Sequence, residues 1–174
     1  SIIVRTKDRP DYLRRALADI AAQTLPAWEC IIVNDGGDPR MVADLVAERD
    51  DAFHARTRVI DSPESRGRWR SANAGVLASR APLLVLHDDD DTWDADFLQR
   101  AVDYLEAHPA RAGVVSRIEI VWETRDGDRF SEERREVFQE HLTAPSLSDT
   151  LLFNRFVPIG FVYRRRLHEE HGLY

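Results

Sequence analysis

The chain has 174 residues, with 24 Lys and Arg against 31 Asp and Glu; a net charge of −7 argues against a nucleic-acid surface, and the length is that of one domain with its own core. Hydrophobic residues make up 43%, in short runs that never approach the roughly 18–20 apolar residues needed to cross a bilayer, so no membrane span is expected. Cys30 stands alone and cannot form an internal disulfide; within WECIIV it reads as a small buried hydrophobe, which fits a reducing, cytoplasmic setting.

In chain order, SIIVRT predicts a first strand, and Pro10 opens a helix whose Leu13, Ala16, Leu17, Ile20 and Ala21 follow the spacing of one buried face. WECIIVND predicts a buried strand stopping at the Gly36-Gly37 turn; Val42, Leu45 and Val46 suit a short helix, and TRVID a third strand. RSANAGVLAS predicts a helix leading into PLLVLHD, a fourth strand apolar on both faces. Leu98, Ala101, Val102 and Leu105 mark the next helix, closed by His108-Pro109. Alternating helices and continuously apolar strands imply an α/β fold, a mostly parallel sheet sandwiched by helices.

From Gly113 the pattern changes. GVVSRIEIVWE predicts a longer strand, RDGD a hairpin turn at Asp126-Gly127, and REVFQE the return strand. LSDTLLFN predicts a short helix, VPIGFVYR a strand, and RRRLHEEHG a helix ended by Gly172. With no linker or repeat, residues 1–174 read as one domain. A strand pattern that begins without an initiator methionine, and a halt after EEHGLY, point to a piece of a longer protein.

VRTKDRP, NDGGD and HDDDD each follow a predicted parallel strand, at the sheet edge where open α/β sheets bind ligands. An ordinary polar loop would account for any one of them, but three on one rim are harder to explain that way. In LHDDDDTWDADF, Leu86 to Phe97, adjacent carboxylates repel. Mg²⁺ or Mn²⁺ would relieve that repulsion, because such ions are commonly held by one or two carboxylates plus phosphate oxygens. If the chain stays extended past Leu86, Asp88 and Asp90 face one way and Asp89 and Asp91 the other. Asp94 is expected as the N-cap of a helix starting near Ala95, and Asp96 as a first-turn acid.

Asp35, before two glycines, either forms a turn or accepts hydrogen bonds from ring N–H groups of uracil or guanine. Arg5, Lys7 and Arg9 follow strand one, and Arg66, Arg68 and Arg70 precede a helix. They are either surface charge or forks for diphosphate oxygens, helped by a helix N-terminus near Gly67. His87 reads as a strand-end neighbour rather than a ligand, and Trp69 and Trp93 as flanks of the site or ordinary core.

These segments resemble the family 2 glycosyltransferases with the GT-A fold. The stretch from Ser1 to Asp38 resembles that family's opening, SRGRWRSANAG its N-x-G-x-x-x-A-R-N-x-G segment, and LHDDDDTWDADFL its L-D-x-D-D-x-W-x-P-D-x-L segment, in the family's order. The match is closest up to Leu105 and looser after Gly113. It implies a Rossmann-like nucleotide-binding fold, with 1–112 the nucleotide-sugar half and 113–174 the start of an acceptor-side half. Asp35 is then expected on the base, with Arg5 and Thr6 in the same pocket. Asp88 is expected on the ribose or the metal, Asp90 on Mn²⁺ or Mg²⁺, and Asp89 and Asp91 as supporting acids. Asn34 departs from the usual aspartate and Arg5 from a common proline. Ala72 stands where the family often has arginine, which leaves the diphosphate to Arg68 or Arg70.

The activity implied is metal-dependent transfer from a nucleoside diphosphate sugar, expected to be a UDP-sugar, to the hydroxyl of a glycan, lipid or small-molecule acceptor. Inversion is implied, as is a role in surface polysaccharide or glycoconjugate synthesis, in the cytoplasm or at the inner face of the membrane. The general base falls beyond Tyr174 in such proteins, so no catalytic residue is assigned. A nucleotidylyltransferase is disfavoured because VRTKDRP lacks a phosphate-loop glycine; a non-catalytic nucleotide-sugar or glycan-binding domain stays open.

Overall fold

The computed structural model describes residues 1–127, 129–142 and 155–174. The helix expected in LSDTLLFN, residues 147–154, and Asp128 of the hairpin turn lie outside the described residues. Strands β1 (Ile2–Thr6), β2 (Cys30–Asp35), β3 (Thr57–Ser62) and β4 (Leu83–Asp88) run parallel in the order β3–β2–β1–β4. Antiparallel β8 (Phe161–Arg164) joins β4 to β5 (Gly113–Val115) and completes a six-stranded sheet.

Because β1, β2 and β4 each carry a continuous apolar run, alternate side chains fill two cores. Ile2, Val4, Cys30, Ile32 and Val85 face one way, against Leu13 and Leu17 of α1 (Pro10–Ala21), Leu45 of α2 (Pro39–Ala47) and Leu105 of α5 (Phe97–Ala107). A single turn, α3 (Asp51–His54), adds Phe53 to that layer. Ile3, Ile31, Val33, Leu84 and Leu86 face the other way, against Ala72 and Val76 of α4 (Arg68–Ala78). A Cβ at Gly75 would lie 2.3 Å from Ile3 Cγ2, so the missing side chain is what lets α4 sit directly on β1. Truncating a fully buried residue such as Ile3 to alanine would cost about 2–5 kcal/mol.

Several elements differ from expectation for reasons outside their own sequence. Ala21 lies exposed at the end of α1. The strand expected over GVVSRIEIVWE is two, because β8 offers partners to three residues only; the chain then leaves the sheet, and β6 (Glu119–Asp126) pairs with β7 (Arg129–Val137) instead. The return strand therefore starts at Arg129, just beyond the turn at Gly127, rather than at Arg135. Pro158–Gly160 forms a 3₁₀ turn rather than extending β8. The last helix, α6 (Arg166–His171), ends at Gly172 as expected. Asp94 does not cap α5, which begins at Phe97. A remote side chain does: Leu98 N–H donates to Gln23 Oε1 (3.1 Å), and Gln23 Nε2 donates to the Asp94 carbonyl (3.0 Å).

Candidate functional site

Parallel pairing brings the carboxyl ends of β1, β2 and β4 to one rim, with Arg5 opposite Asp88 and Thr6 opposite Asn34. The strand order reverses between β1 and β4, the place where open α/β sheets form a ligand crevice. A cleft of about 290 Å³ opens there. It is lined by Arg5, Thr6, Asp35, Arg68, Asp88, Asp89 and Asp90, and also by Lys7, Arg9 and Ser71. Arg70 does not line it: Arg68 and Ser71 are three apart and share a helix face, whereas Arg70 is turned away. Ser71, absent from the expected set, was findable from that same spacing.

One wall is built around Asp35. Its carboxylate accepts from Ser65 Oγ (2.8 Å), Arg66 N–H (2.7 Å) and Gly67 N–H (3.1 Å). Burial works against its ionisation, but these donors, together with the Ser71 hydroxyl, outweigh burial and hold the pKa below the usual carboxylate range. The turn after it needs glycine. Gly36 has φ of 79°, and a Cβ there would lie 2.4 Å from Ser65 N. The adjoining Asn34 shows why an amide serves at this position. Its Oδ1 accepts from Gly37 N–H (3.0 Å) while Nδ2 donates to the Gly37 carbonyl (2.9 Å) and to Asp61 Oδ1 (2.9 Å), which a carboxylate could not do.

The other wall is the acidic turn. β4 stops at Asp88, and Asp91 N–H donates to the Asp88 carbonyl (3.2 Å), so the chain turns instead of staying extended. The strict alternation of Asp88 to Asp91 is therefore lost, and Asp89 and Asp90 meet the same arginine. Arg5 Nε donates to Asp88 Oδ1 (2.9 Å), Nη2 donates to the same oxygen, and Nη1 reaches the Arg68 carbonyl (3.1 Å). Arg5 thus ties β1 to β4 and to the start of α4. Asp89 accepts from Thr6 Oγ1 (2.7 Å) and Arg9 Nη1 (2.8 Å), and Asp90 from Arg9 Nη2 (2.9 Å). Burial pushes Asp89 up to about 6, against the pull of Thr6 and Arg9. Burial, then the charges of Asp90 and Asp88, pushes Asp91 up to about 7.

The neighbours sort as expected from the strand end. His87 is buried, with Nδ1 2.7 Å from the Asp88 carbonyl and its ring edge-on to Trp93; burial lowers its pKa to about 4. Trp93 packs on the first core and donates to the Ile159 carbonyl (2.8 Å), a structural role. Trp69 is half exposed beside Tyr174.

Among the described residues, no group of three or more His, Cys, Asp or Glu is arranged to enclose a metal ion. Asp88 and Asp90 both reach the cleft as hard oxygen donors, and their charges raise Asp91, a repulsion that a cation would relieve. Such a donor set suits Mg²⁺ or Mn²⁺ completed by water and phosphate oxygens, not an all-protein cage.

This sheet order, with a ligand crevice at the switch point and an acidic turn beside it, is the architecture of GT-A glycosyltransferases. The mannosyltransferase PcManGT of Pyrobaculum calidifontis, solved with GDP-Man and Mn²⁺, superposes on 99% of this chain with a TM-score of 0.70 at 19% identity. S. aureus TarS 1–349, solved with UDP-GlcNAc, superposes on 99% with a TM-score of 0.72 at 16% identity. In sequence, the profile of Glycosyl transferase family 2 matches residues 1–172, and the chain belongs to that family. The glycosyltransferase YwdF of Bacillus subtilis is 33% identical over the whole of this chain. The chain spans 61% of YwdF, 46% of PcManGT and 47% of the TarS chain. No helix among the described residues is long and apolar enough to cross a membrane.

Proposed function

We propose that the chain is the donor-binding part of a metal-dependent, inverting glycosyltransferase that takes a nucleoside diphosphate sugar, with a UDP-sugar the first candidate. The observation that carries this reading is the cleft itself, one wall holding an ionised Asp35 and the other an acidic turn with surplus negative charge. PcManGT and TarS, whose fold the chain shares, bind GDP-Man with Mn²⁺ and UDP-GlcNAc, which supports the donor class.

Each side chain then has a task. The Asp35 carboxylate, held ionised by Ser65, Ser71 and the Arg66 and Gly67 N–H groups, lines the cleft as the acceptor for a ring N–H of uracil or guanine. Arg5 occupies only Oδ1 of Asp88, so Oδ2 is left for a ribose hydroxyl. Lys7, Arg68 and Ser71 face the space where a diphosphate would lie. Asp90, with Asp88, would hold Mn²⁺ or Mg²⁺, which supplies charge stabilisation to the leaving diphosphate as the anomeric C–O bond breaks. An acceptor hydroxyl attacks from the opposite face and needs a positioned base. We place that base beyond Tyr174 and the acceptor in surface polysaccharide or glycoconjugate synthesis at the cytoplasmic side of the membrane.

Thermal-shift titration with UDP, GDP and dTDP, each with and without Mn²⁺, tests the reading, because a ligand of the folded state raises the melting temperature by mass action. A metal-dependent rise with one nucleotide is expected. A folded sample that shows no metal-dependent rise with any of them contradicts it.

A further inference from the structure

Two arginines of different kinds pair with carboxylates of the acidic turn. Arg5 is 9% exposed and fixed on three acceptor contacts, so it is part of the framework. The Arg9 side chain is 40% exposed, and its fork spans Asp89 Oδ1 and Asp90 Oδ2 at 2.8 and 2.9 Å. Arg9 sits at the N-cap position of α1 and makes no side-chain cap hydrogen bond there, so the helix does not depend on its guanidinium. The carboxylate it covers on Asp90 is 46% exposed, the most accessible of the acids lining the cleft.

A divalent cation placed on Asp90 would meet this guanidinium at the same carboxylate, and the two positive charges repel at that distance. We propose that Arg9 is a resident counter-ion that competes with the divalent cation for Asp90 and yields it when a diphosphate arrives. Cation binding is then contingent on nucleotide. The inference rests on the metal-assisted donor site proposed above. The diphosphate supplies what each partner lacks: further oxygen ligands for the cation, and a new bidentate acceptor for the displaced guanidinium. Tyr12, whose ring centroid lies 4.4 Å from the Arg9 guanidinium carbon, keeps the arginine at the cleft during the exchange. By linkage, nucleotide and cation raise each other's affinity by one common factor, and Arg9 is a source of that factor.

The test is a Mn²⁺ titration of the 174-residue chain, with free ion followed by electron paramagnetic resonance, without nucleotide and at saturating UDP. Wild type, Arg9→Ala, Arg9→Gln and Asp90→Asn are compared, with far-UV circular dichroism to establish folding. Without UDP, Arg9→Ala binds Mn²⁺ about fivefold tighter than wild type, the upper range for an exposed ion pair. The factor by which UDP enhances Mn²⁺ binding falls correspondingly. Arg9→Gln, which keeps most of the side chain, repeats the result if the alanine variant does not fold. If Asp90→Asn loses Mn²⁺ while neither Arg9 variant binds it more tightly than wild type, the competition is overturned and the donor-site reading survives. If Asp90→Asn binds Mn²⁺ as wild type does, both are overturned.

Discussion

Strand β2 and the turn after β4 carry carboxylates that the fold treats in opposite ways. At one end of β2, Glu29 accepts from the Arg80 and Ala81 N–H groups, from Arg58 and from Ser1 Oγ; although burial opposes ionisation, these donors bring it down to about 2. At the other end, Asp35 is served by the Arg66 and Gly67 N–H groups and by Ser65. In the turn after β4, Asp89 and Asp91 face burial and then the charges of Asp90 and Asp88, and both are pushed up. Main-chain donors make a negative charge permanent, as a structure or a hydrogen-bonding ligand requires. Carboxylates set against carboxylates carry a charge that a cation would stabilise, and the cleft places one kind on each wall.

The comparison is broken most severely at Asp90. Asp90→Asn is expected to abolish the Mn²⁺-dependent part of any nucleotide-induced melting shift and to leave the metal-free part in place. Removing the permanent charge acts differently. Asp35→Ala is expected to weaken nucleotide binding about 10- to 100-fold, the worth of a charged hydrogen bond, with or without metal, as measured by calorimetry. A loss confined to metal-containing samples would show that the two walls do not divide the work in this way.

Arg5→Ala tests whether the first arginine is framework. It deletes the contacts to Asp88 and to the Arg68 carbonyl, and is expected to cost about 1–3 kcal/mol of stability in denaturant unfolding. The smallest effect is at Glu29, away from the cleft. A carboxylate whose pKa is lowered from 4.5 to about 2 contributes stability that is full above pH 4.5 and is lost as pH falls through about 2. The melting temperature of Glu29→Gln should therefore lie about 2–4 °C below wild type near pH 7, with the gap closing below pH 4.5. A gap that widens on acidification contradicts the assignment.

The parallel sheet was legible because uninterrupted apolar strands and helical stripes are local patterns, and the rule that loops after parallel strands meet at one edge placed Arg5, Thr6, Asp35 and Asp88 to Asp90 together. What escaped depends on partners remote in sequence. Gln23 caps α5 from 71 residues before Asp94, and no local motif marks it. The break between β5 and β6 follows from the shortness of β8, far along the chain. Within the site, the sequence leaves the course of the chain past Leu86 open between extended and turned, because four identical residues carry no periodicity. The divergent roles of Arg5 and Arg9 depend on exposure, which spacing does not reveal.

The central claim is that one cleft holds a nucleotide base at Asp35 and a divalent cation at Asp90. A crystal of the chain soaked with a UDP-sugar and Mn²⁺, with data collected for anomalous scattering, tests it most directly. The account predicts a manganese peak bounded by Asp90 and the diphosphate, with the base against Asp35 and the Arg9 guanidinium moved off Asp90. A nucleotide bound elsewhere, or a peak remote from the acidic turn, would contradict it.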